Sequence, residues 1–404
     1  MYQIGLKLWS TNTDAYLREA ERLYADGIFS YIELYVVPGT LECLPAWKKL
    51  QIPFIIHNAH FMQHFNLADR ERAENNRKIY EETRRFADAL NARWIIFHGG
   101  IDGSIEETAC QLAAFREPRA LIENKPFRAL PNRMGGNFCR GYDIAELKKA
   151  MDASGCGFCL DFGHAVCAAN SLHQEPYSYI EELMTLNPAM YHLTDVNDMT
   201  SEYDSHPHLG QGGLSLGRIF SLLPEKAVIT IETQKNSRES LNDFSADSSM
   251  VKFHDLECTP ATLADARSIF ELSNDPLVRQ NSFCQEQISW EEHLRWLEKK
   301  LQAENTFFYL VRNHAGTLAA QVRFEPDDAD CYRISFGFSQ PFRGKSFSSH
   351  ILRLAISNLK AEKGKVRLKA AVKNENTASM KCFRRVGFIA VLEDSEKTEF
   401  LYEK

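Results

Sequence analysis

Acidic and imidazole side chains recur where short apolar stretches of the N-terminal half end. In "LDFGH", Asp161 closes an apolar run and His164 follows three residues later. A buried charge is costly unless it is paired or bound to a metal ion. Other runs end in the same way, so the pattern predicts a cation that faces several of these side chains: His57, His98, Glu123, His192 and Glu232.

Four of these side chains make a candidate metal set that is rich in oxygen and has one imidazole. It suits Mn²⁺, Mg²⁺, Co²⁺ or Zn²⁺ and disfavours a soft-metal or thiolate site. The four predicted ligands are Glu123, Asp161, His192 and Glu232. Five more residues would bind substrate oxygens or hold additional metal ions: His57, His98, His164, Asp204 and His206.

Any one of these residues has a plainer interpretation. A lone strand-end histidine is more often a satisfied polar residue than a ligand, and a lone glutamate is usually a rim charge. The hypothesis depends on the coincidence of six consecutive strands that each present a metal-capable side chain. Lys7 and Glu33, near the ends of the first two strands, are candidates for contact with substrate or plain rim charges.

The elements that must position these residues are eight strands that alternate with amphipathic helices. Repeated strand–helix units indicate parallel strands, and eight of them predict an α/β fold, a (β/α)₈ TIM barrel, whose strand ends meet in one mouth. An open doubly wound sheet is the alternative, but no G-x-G-x-x-G follows the first strand. The predicted strands span 3–9, 31–37, 54–59, 94–100, 119–125, 157–164, 190–195 and 228–233.

A second pattern begins after a polar, Ser-rich stretch. Meandering strands come first and helix–strand alternation follows, which predicts an α+β domain. We therefore expect a barrel over 1–236, a linker over 237–253 and a second domain over 254–404.

Composition and charge limit the expected binding partners and the expected cellular location. The 47 Lys and Arg against 54 Asp and Glu give a net charge of −7, which makes nucleic acid an unlikely partner. The first residues do not resemble a signal peptide, no apolar run is long enough for a membrane span, and the ten cysteines are expected to be reduced. The expectation is a cytoplasmic protein, with a homo-oligomer left open.

The first half resembles the xylose-isomerase-like TIM-barrel superfamily of sugar isomerases, ketose 3-epimerases and apurinic-site endonucleases. The resemblance is carried in order by "HNAH", "FHGG", "IEN", "LDFGH", "YHLTD", "DSHPHLGQG" and "IET". It implies one metal at Glu123, Asp161, His192 and Glu232 in the epimerases, with the two glutamates moving protons and His164 touching substrate. In the endonucleases it implies a three-zinc cluster that recruits all nine candidates. One departure is Gln211, where the family often has Glu.

The second domain resembles the GNAT acetyltransferases. A strand-to-helix turn, "FRGKSF", and the pattern "NENTASMKCFRRVGF" carry the resemblance. The turn alone could hold a pyrophosphate, because free N–H groups at a helix start beside cations favour anions. The resemblance implies acetyl-coenzyme A bound by Arg343, Gly344, Lys345, Ser346, Ser348 and Asn376.

Two features depart from the GNAT pattern, at three positions. Ser346 and Ser348 replace small glycines, which weakens the expected cofactor binding without excluding it. Phe383 stands where a tyrosine usually protonates the leaving thiolate, and phenylalanine cannot donate a proton. The domain is therefore expected to be slow, or to serve only in docking or acetyl-coenzyme A sensing.

An aromatic helix in the second domain suggests which substrate accepts the acetyl group. The stretch around it is similar to amino-sugar N-acetyltransferases of pseudaminic-acid-type pathways. Trp290, His293 and Trp296 fall on one helix face, where a sugar ring would pack, and His293 is the candidate base. The favoured hypothesis is a bifunctional enzyme. Its barrel isomerises or epimerises a sugar, and its second domain acetylates an amino sugar, for example one linked to a nucleotide. The alternative is a multi-zinc apurinic-site endonuclease.

Overall fold

The eight apolar stretches of the first half form parallel strands that close into a barrel in chain order. The computed structural model describes residues 2–131, 133–313, 316–328, 331–343 and 347–403. The predicted TIM barrel is confirmed, and its strands are β1 (Gln3–Trp9), β2 (Tyr31–Tyr35), β3 (Phe54–His57), β4 (Ile95–His98), β5 (Ala120–Glu123), β6 (Gly157–Asp161), β7 (Met190–Leu193) and β8 (Val228–Ile231).

Most barrel strands are shorter at their carboxyl ends than the apolar stretches suggested. As a result, β3 to β6 end at His57, His98, Glu123 and Asp161 themselves. Glu232 is the first residue after β8. Because all eight strands run parallel, these side chains lie at the same end of the barrel.

Most helices between the strands bury one apolar face. In the helix Ala73–Ala89, for example, Ile79, Tyr80 and Phe86 are buried, and Ser104 caps the helix Ile105–Phe115 by accepting a hydrogen bond from the backbone N–H of Glu107. The helix Phe162–Ser171 differs, because its first two turns are buried on all sides. No helix in the described residues is long and apolar enough to span a membrane. The helices are α1 (Ala15–Ala25), α2 (Leu44–Trp47), α3 (Ala73–Ala89), α4 (Ile105–Phe115), α5 (Ile144–Ser154), α6 (Phe162–Ser171), α7 (Pro176–Met184), α8 (Leu216–Phe220) and α9 (Asn242–His254).

Helix α9 occupies most of the stretch interpreted as a linker. Leu241, Phe244 and Val251 are buried there, although serine and aspartate dominate the composition. The chain divides into two compact units, one of 1–214 with 224–251 and the other of 215–223 with 252–404. The linker bounds of 237–253 remain a prediction.

The second unit contains a mixed sheet of seven strands packed with helices. Its elements are β9 (Leu256–Pro260), α10 (Ala266–Ser273), α11 (Pro276–Asn281), α12 (Trp290–Gln302), β10 (Phe307–Asn313), β11 (Leu318–Asp328), β12 (Cys331–Phe338), α13 (Phe347–Lys363), β13 (Arg367–Lys373), α14 (Thr377–Val386), β14 (Ile389–Glu393) and β15 (Lys397–Glu403). The strands lie in the order β14-β15-β13-β12-β11-β10-β9. Only β12 and β13 pair in parallel among the described strands of this sheet.

The parallel pair of β12 and β13 is short. It extends only from the pair Cys331 and Arg367 to the pair Arg333 and Lys369. The later halves of the two strands are therefore unpaired with each other in the described residues. Unpaired strand groups can accept an extended ligand by hydrogen bonding.

Candidate metal centre and acceptor pocket

The strand-end residues of the barrel come together as the sequence predicted. Glu123 is central, since its Oε2 lies 3.2 Å from Nε2 of His57 and 3.2 Å from Nε2 of His98. All three side chains point into the barrel mouth and form one group that could hold a metal ion. We call His57, His98 and Glu123 the first group.

The four residues predicted to bind a single metal form a second group, which shares Glu123. Nδ1 of His192 lies 2.8 Å from Oε1 of Glu232, 3.4 Å from Oε2 of Glu123 and 3.9 Å from Oδ2 of Asp161. Asp161, His192 and Glu123 are at most 1% exposed. The second group is Glu123, Asp161, His192 and Glu232.

Two atoms of the second group are suited to a cation. Oδ1 of Asp161 caps α6 by accepting a hydrogen bond of 2.7 Å from the backbone N–H of His164. Its Oδ2 is buried without a hydrogen-bond partner in the described residues, and Nδ1 of His192 faces the carboxylate oxygens of Glu232 and Glu123. A buried carboxylate oxygen and an imidazole nitrogen that face the same space are suitable ligands for a divalent ion.

A third group lies beyond the ends of β6 and β7. Oδ2 of Asp204 is 3.2 Å from Nε2 of His164 and 2.8 Å from Nε2 of His206. Burial alone would raise the pKa of Asp204, but the two imidazoles outweigh it and hold that pKa well below its usual range. The third group is His164, Asp204 and His206.

Lys7 and Glu33 belong to this network and are not rim charges. Glu33 is fully buried, with its Oε2 2.9 Å from Nε2 of His192 and its Oε1 2.7 Å from Nζ of Lys7. Lys7 also forms an ion pair with Glu232. Burial would raise the pKa of Glu33, but His192 and Lys7 outweigh it and hold the pKa at about 2.

Lys125 is a site residue that the sequence interpretation missed. Its Nζ is buried among the first and third groups, 3.3 Å from Oε1 of Glu123 and 3.1 Å from Nε2 of His164. Burial lowers the pKa of Lys125, but Glu123 together with the smaller effects of Cys139, Asp204 and Asp161 outweighs burial and leaves that pKa raised. Burial and Lys125 together lower the pKa of His98 to about 3. The sequence signal was the spacing, since a residue two positions after Glu123 in an extended stretch points to the same side.

The barrel mouth opens into a cavity of about 620 Å³, within the size range of small-molecule sites. Trp9 and Tyr35 line it on one side. Three cationic side chains besides Lys7 and Lys125 also line it: Arg128, Arg133 and Lys235. The cavity combines aromatic surface, positive charge and the predicted metal ligands, which suits a polar, anionic or hydroxyl-rich substrate.

In the second unit, the aromatic helix face is largely packed. His293 is fully buried, and its ring lies 5.8 Å from that of Trp290 and 5.7 Å from that of Trp296, centre to centre. Nε2 of His293 donates a hydrogen bond of 2.9 Å to the carbonyl oxygen of Ala266, because a carbonyl can only accept. Nδ1 therefore carries the lone pair.

A cavity of about 430 Å³ adjoins this face and has convergent polar atoms. Three of its lining residues have a polar atom that lacks a hydrogen-bond partner in the described residues: Nε of Arg279, Nδ1 of His293 and Oε1 of Gln321. The rest of the lining includes Trp296, Phe308 and Phe336. An apolar pocket with a few unsatisfied polar groups is typical of a ligand site.

The predicted cofactor residues are only partly described. Gly344, Lys345 and Ser346 lie outside the described residues. Arg343 pairs with Asp275 at 2.7 Å, and its Nε donates to the carbonyl oxygen of Phe338. Asn376 caps α14 by accepting a hydrogen bond from the backbone N–H of Ser379, and Ser348 lies in the first turn of α13.

Phe383 lies in the core of the second unit. It is 2% exposed and packs against Phe336, Phe388 and Phe400. An apolar ring in an aromatic cluster cannot protonate a leaving group, so any acid for the transfer must be another group or water.

Two family models match the chain. One, described as a xylose isomerase-like TIM barrel, matches residues 39–250, and the other, an acetyltransferase (GNAT) domain, matches residues 255–389. The TIM-barrel match therefore spans just over half of the chain.

Similar proteins fall into the same two groups. "Probable endonuclease 4" of Mycobacterium bovis (strain BCG / Pasteur 1173P2) is 28% identical over 179 residues, which are 43% of this chain and 70% of that protein. Endonuclease IV from Thermus thermophilus has a TM-score of 0.48 at 22% identity, over 62% of this chain and 99% of its own. The spermidine N-acetyltransferase of Vibrio cholerae, solved with CoA and spermine, has a TM-score of 0.34 at 14% identity, over 37% of this chain and 95% of its own.

Two expectations from the sequence can be compared with these relatives. The expectation that nucleic acid is an unlikely partner is not supported, because the curated relatives are named as endonucleases. The two resemblances are confirmed by the family matches. The chain belongs to the xylose isomerase-like TIM-barrel family and carries a GNAT acetyltransferase domain after its barrel.

Proposed function

We propose that the barrel is a metal-dependent sugar isomerase or epimerase and that the GNAT domain acetylates the amine of an amino sugar. The barrel proposal is carried by the second group, where Glu123 and Glu232 approach the same His192 nitrogen from different strands, at 3.4 and 2.8 Å. Paired carboxylates at one centre are suited to removing a proton and returning it.

The second group would hold the divalent ion. When bound, such an ion stabilises the negative charge that develops on neighbouring oxygens of the sugar as a proton leaves carbon. Glu232 or Glu123 accepts that proton. In an isomerisation the same group returns the proton to the adjacent carbon, and in an epimerisation the other residue, in its carboxylic acid form, delivers its own proton to the opposite face. Lys125, 3.3 Å from Glu123, donates a hydrogen bond to the substrate oxygen that gains charge.

Aldose and ketose phosphates provide the first test of the barrel. Isomerisation or epimerisation that depends on added Mn²⁺, Co²⁺, Mg²⁺ or Zn²⁺ and is lost in Glu232→Gln supports the proposal. Full activity in Glu123→Gln and Glu232→Gln together would contradict it.

A second candidate, cleavage at abasic sites in DNA, is favoured by one observation. The three groups together contain the nine residues implied for a three-zinc endonuclease, with Glu123 shared between two of them. The curated relatives carry that name. An oligonucleotide with a single abasic site tests it, and efficient metal-dependent cleavage would replace the sugar proposal.

The transferase proposal is carried by the pocket beside Trp296. Nδ1 of His293 has a free lone pair there, so it can accept the proton that the acceptor amine loses as the acetyl group arrives. The aromatic wall suits the apolar face of a sugar ring, and the open edges of β12 and β13 suit the amides of the cofactor arm. Nucleotide-linked amino sugars are the first acceptors to test.

Calorimetry of the full chain with acetyl-coenzyme A tests the cofactor. Binding with acetyl transfer to an amino sugar supports the enzyme, and binding without transfer to any amine favours a sensing module. No binding to the folded protein would leave only a docking role for this domain.

A further inference from the structure

We infer that Lys125 takes the place of a metal ion, so that the barrel mouth holds one divalent cation although its ligand set could hold more. The inference rests on the proposed metal-dependent function of the barrel and specifies its metal content.

The contacts of Lys125 concentrate on the first and third groups. Its Nζ lies 3.4 Å from Nε2 of His98 and 3.3 Å from Oε1 of Glu123. It lies 3.1 Å from Nε2 of His164, in the third group. Its one contact with the second group is Glu123, which the first group shares, and within the described residues no hydrogen-bond contact joins this ammonium to His192 or Glu232.

An ammonium group and a divalent ion compete for the same lone pairs. Lysine donates three N–H groups and accepts none, so each imidazole nitrogen or carboxylate oxygen that it engages is withdrawn from a metal. A divalent ion in the first or third group would also lie close to a like charge in a buried setting, where repulsion is strong. In the second group Lys7 pairs with Glu232, but Oδ2 of Asp161 has no hydrogen-bond partner in the described residues, and Nδ1 of His192 faces carboxylate oxygens and no ammonium. This group therefore keeps lone pairs for one ion.

The charge of the mouth disfavours a three-ion cluster. Five carboxylates meet there, from Glu33, Glu123, Asp161, Asp204 and Glu232, together with the two ammonium groups of Lys7 and Lys125. With neutral imidazoles, three divalent ions would produce a positive excess in a buried site whose wall already carries Arg128, Arg133 and Lys235. Buried charge is tolerated best when it is nearly balanced.

The position of Lys125 is fixed by the backbone. Its N–H donates a hydrogen bond of 3.0 Å to the carbonyl oxygen of Gly141, and the side chain is only 6% exposed. The ammonium therefore has little room to move to solvent and leave its place to an ion.

Metal counting tests the inference directly. The full chain is saturated with Mn²⁺ or Zn²⁺, freed of excess ion by gel filtration and measured by inductively coupled plasma mass spectrometry. We expect one equivalent in the wild type, two or more in Lys125→Met, and one in Lys125→Arg, which retains the charge. Lys235→Met is the matched control, since Lys235 lines the same cavity but donates to the carbonyl oxygen of Thr233, and it should also hold one.

The outcomes separate this inference from the proposed function. Two or more equivalents in the wild type, or a single equivalent in folded Lys125→Met, would overturn the inference and leave metal-dependent chemistry standing. No bound ion in any of the proteins would overturn both. If Lys125→Met does not fold, the number of ions bound by the wild type is the test. One equivalent supports the inference, and two or more overturn it.

Discussion

Glu33 and His192 are joined at 2.9 Å between Oε2 and Nε2, both side chains being fully buried. The other ring nitrogen of His192 faces Glu232 and Asp161. A carboxylate that holds the far nitrogen of a ligating histidine fixes the orientation of the ring and raises its basicity. The pair therefore explains how a residue outside the predicted ligand set controls the second group.

Replacing Glu33 should weaken metal binding without removing a ligand. We expect Glu33→Gln to lower metal affinity about 10- to 100-fold, the range for loss of such an outer partner. Competition with a chromophoric chelator measures it. Glu82→Gln is the control, because the hydrogen bonds that Glu82 accepts in the described part of the chain come from the backbone N–H groups of Gly39 and Thr40, away from the barrel mouth. Equal affinities in all three proteins would refute the role of Glu33.

Replacing His293 should affect acetyl transfer and spare cofactor binding. A lost general base typically costs about 10²- to 10⁴-fold in rate, and we expect His293→Gln to fall in that range with unchanged affinity for acetyl-coenzyme A. His350→Asn is the matched control. His350 is also buried with one unpartnered ring nitrogen, but it does not line the pocket. A similar loss of rate in both variants would argue against His293 as the base.

Tyrosine at position 383 should destabilise the GNAT domain. The ring of Phe383 is enclosed by other aromatic rings, and a buried hydroxyl without a partner costs about 1–3 kcal/mol. We expect Phe383→Tyr to unfold at a lower temperature and to gain no rate. Phe283→Tyr, at an exposed position, should leave thermal unfolding unchanged. A clear gain in rate would mean that the new hydroxyl reaches the leaving thiolate.

Lowering the pH should reduce the free energy of unfolding, because unfolding allows His350 to bind a proton. Burial, with smaller effects of His254 and Arg353, lowers the pKa of His350 to about 4. An unfolded histidine binds a proton below about pH 6.5 while the folded one does not, so this contribution to stability is complete above pH 6.5 and is lost as pH falls to 4. The loss amounts to roughly 3 kcal/mol from the shift to about 4.

Thermal unfolding of the full chain between pH 7 and pH 5 measures this effect. The wild type should lose stability faster than His350→Asn, which cannot titrate in this range. Parallel losses in the two proteins would show that His350 is not the group responsible.

The sequence predicted the barrel and most of its mouth because strand ends are marked by local signals. His57, His98, Glu123 and Asp161 each close an apolar run, and the closed barrel brings such ends together. The pairing of Glu33 with His192 could not be predicted, since it depends on which strands lie across the mouth from one another. Lys125 was missed although it lay in the predicted strand 119–125, because a lysine is not a metal ligand type and only its spacing from Glu123 placed it on the same side.

Composition did not reveal α9 or the packing of the aromatic helix. Serine and aspartate dominate the stretch interpreted as a linker, whose bounds stay a prediction, but apolar residues such as Phe244 and Val251 are buried in the helix that forms there. Trp290 and Trp296 suggested a sugar platform, yet both pack against the core around Leu297, and only Trp296 also lines the pocket. Burial of a side chain depends on tertiary packing, which a helical spacing alone does not specify.

Proton transfer at carbon is the central claim for the barrel, and solvent exchange tests it most directly. The metal-loaded protein is incubated in D₂O with a panel of aldoses, ketoses and their phosphates, and carbon-bound deuterium is read by proton NMR and mass spectrometry. The account predicts deuterium at the carbon next to the carbonyl of at least one sugar, lost in Glu232→Gln and on chelation. Absence of exchange in every sugar, with cleavage of an abasic-site oligonucleotide by the same preparation, would contradict it.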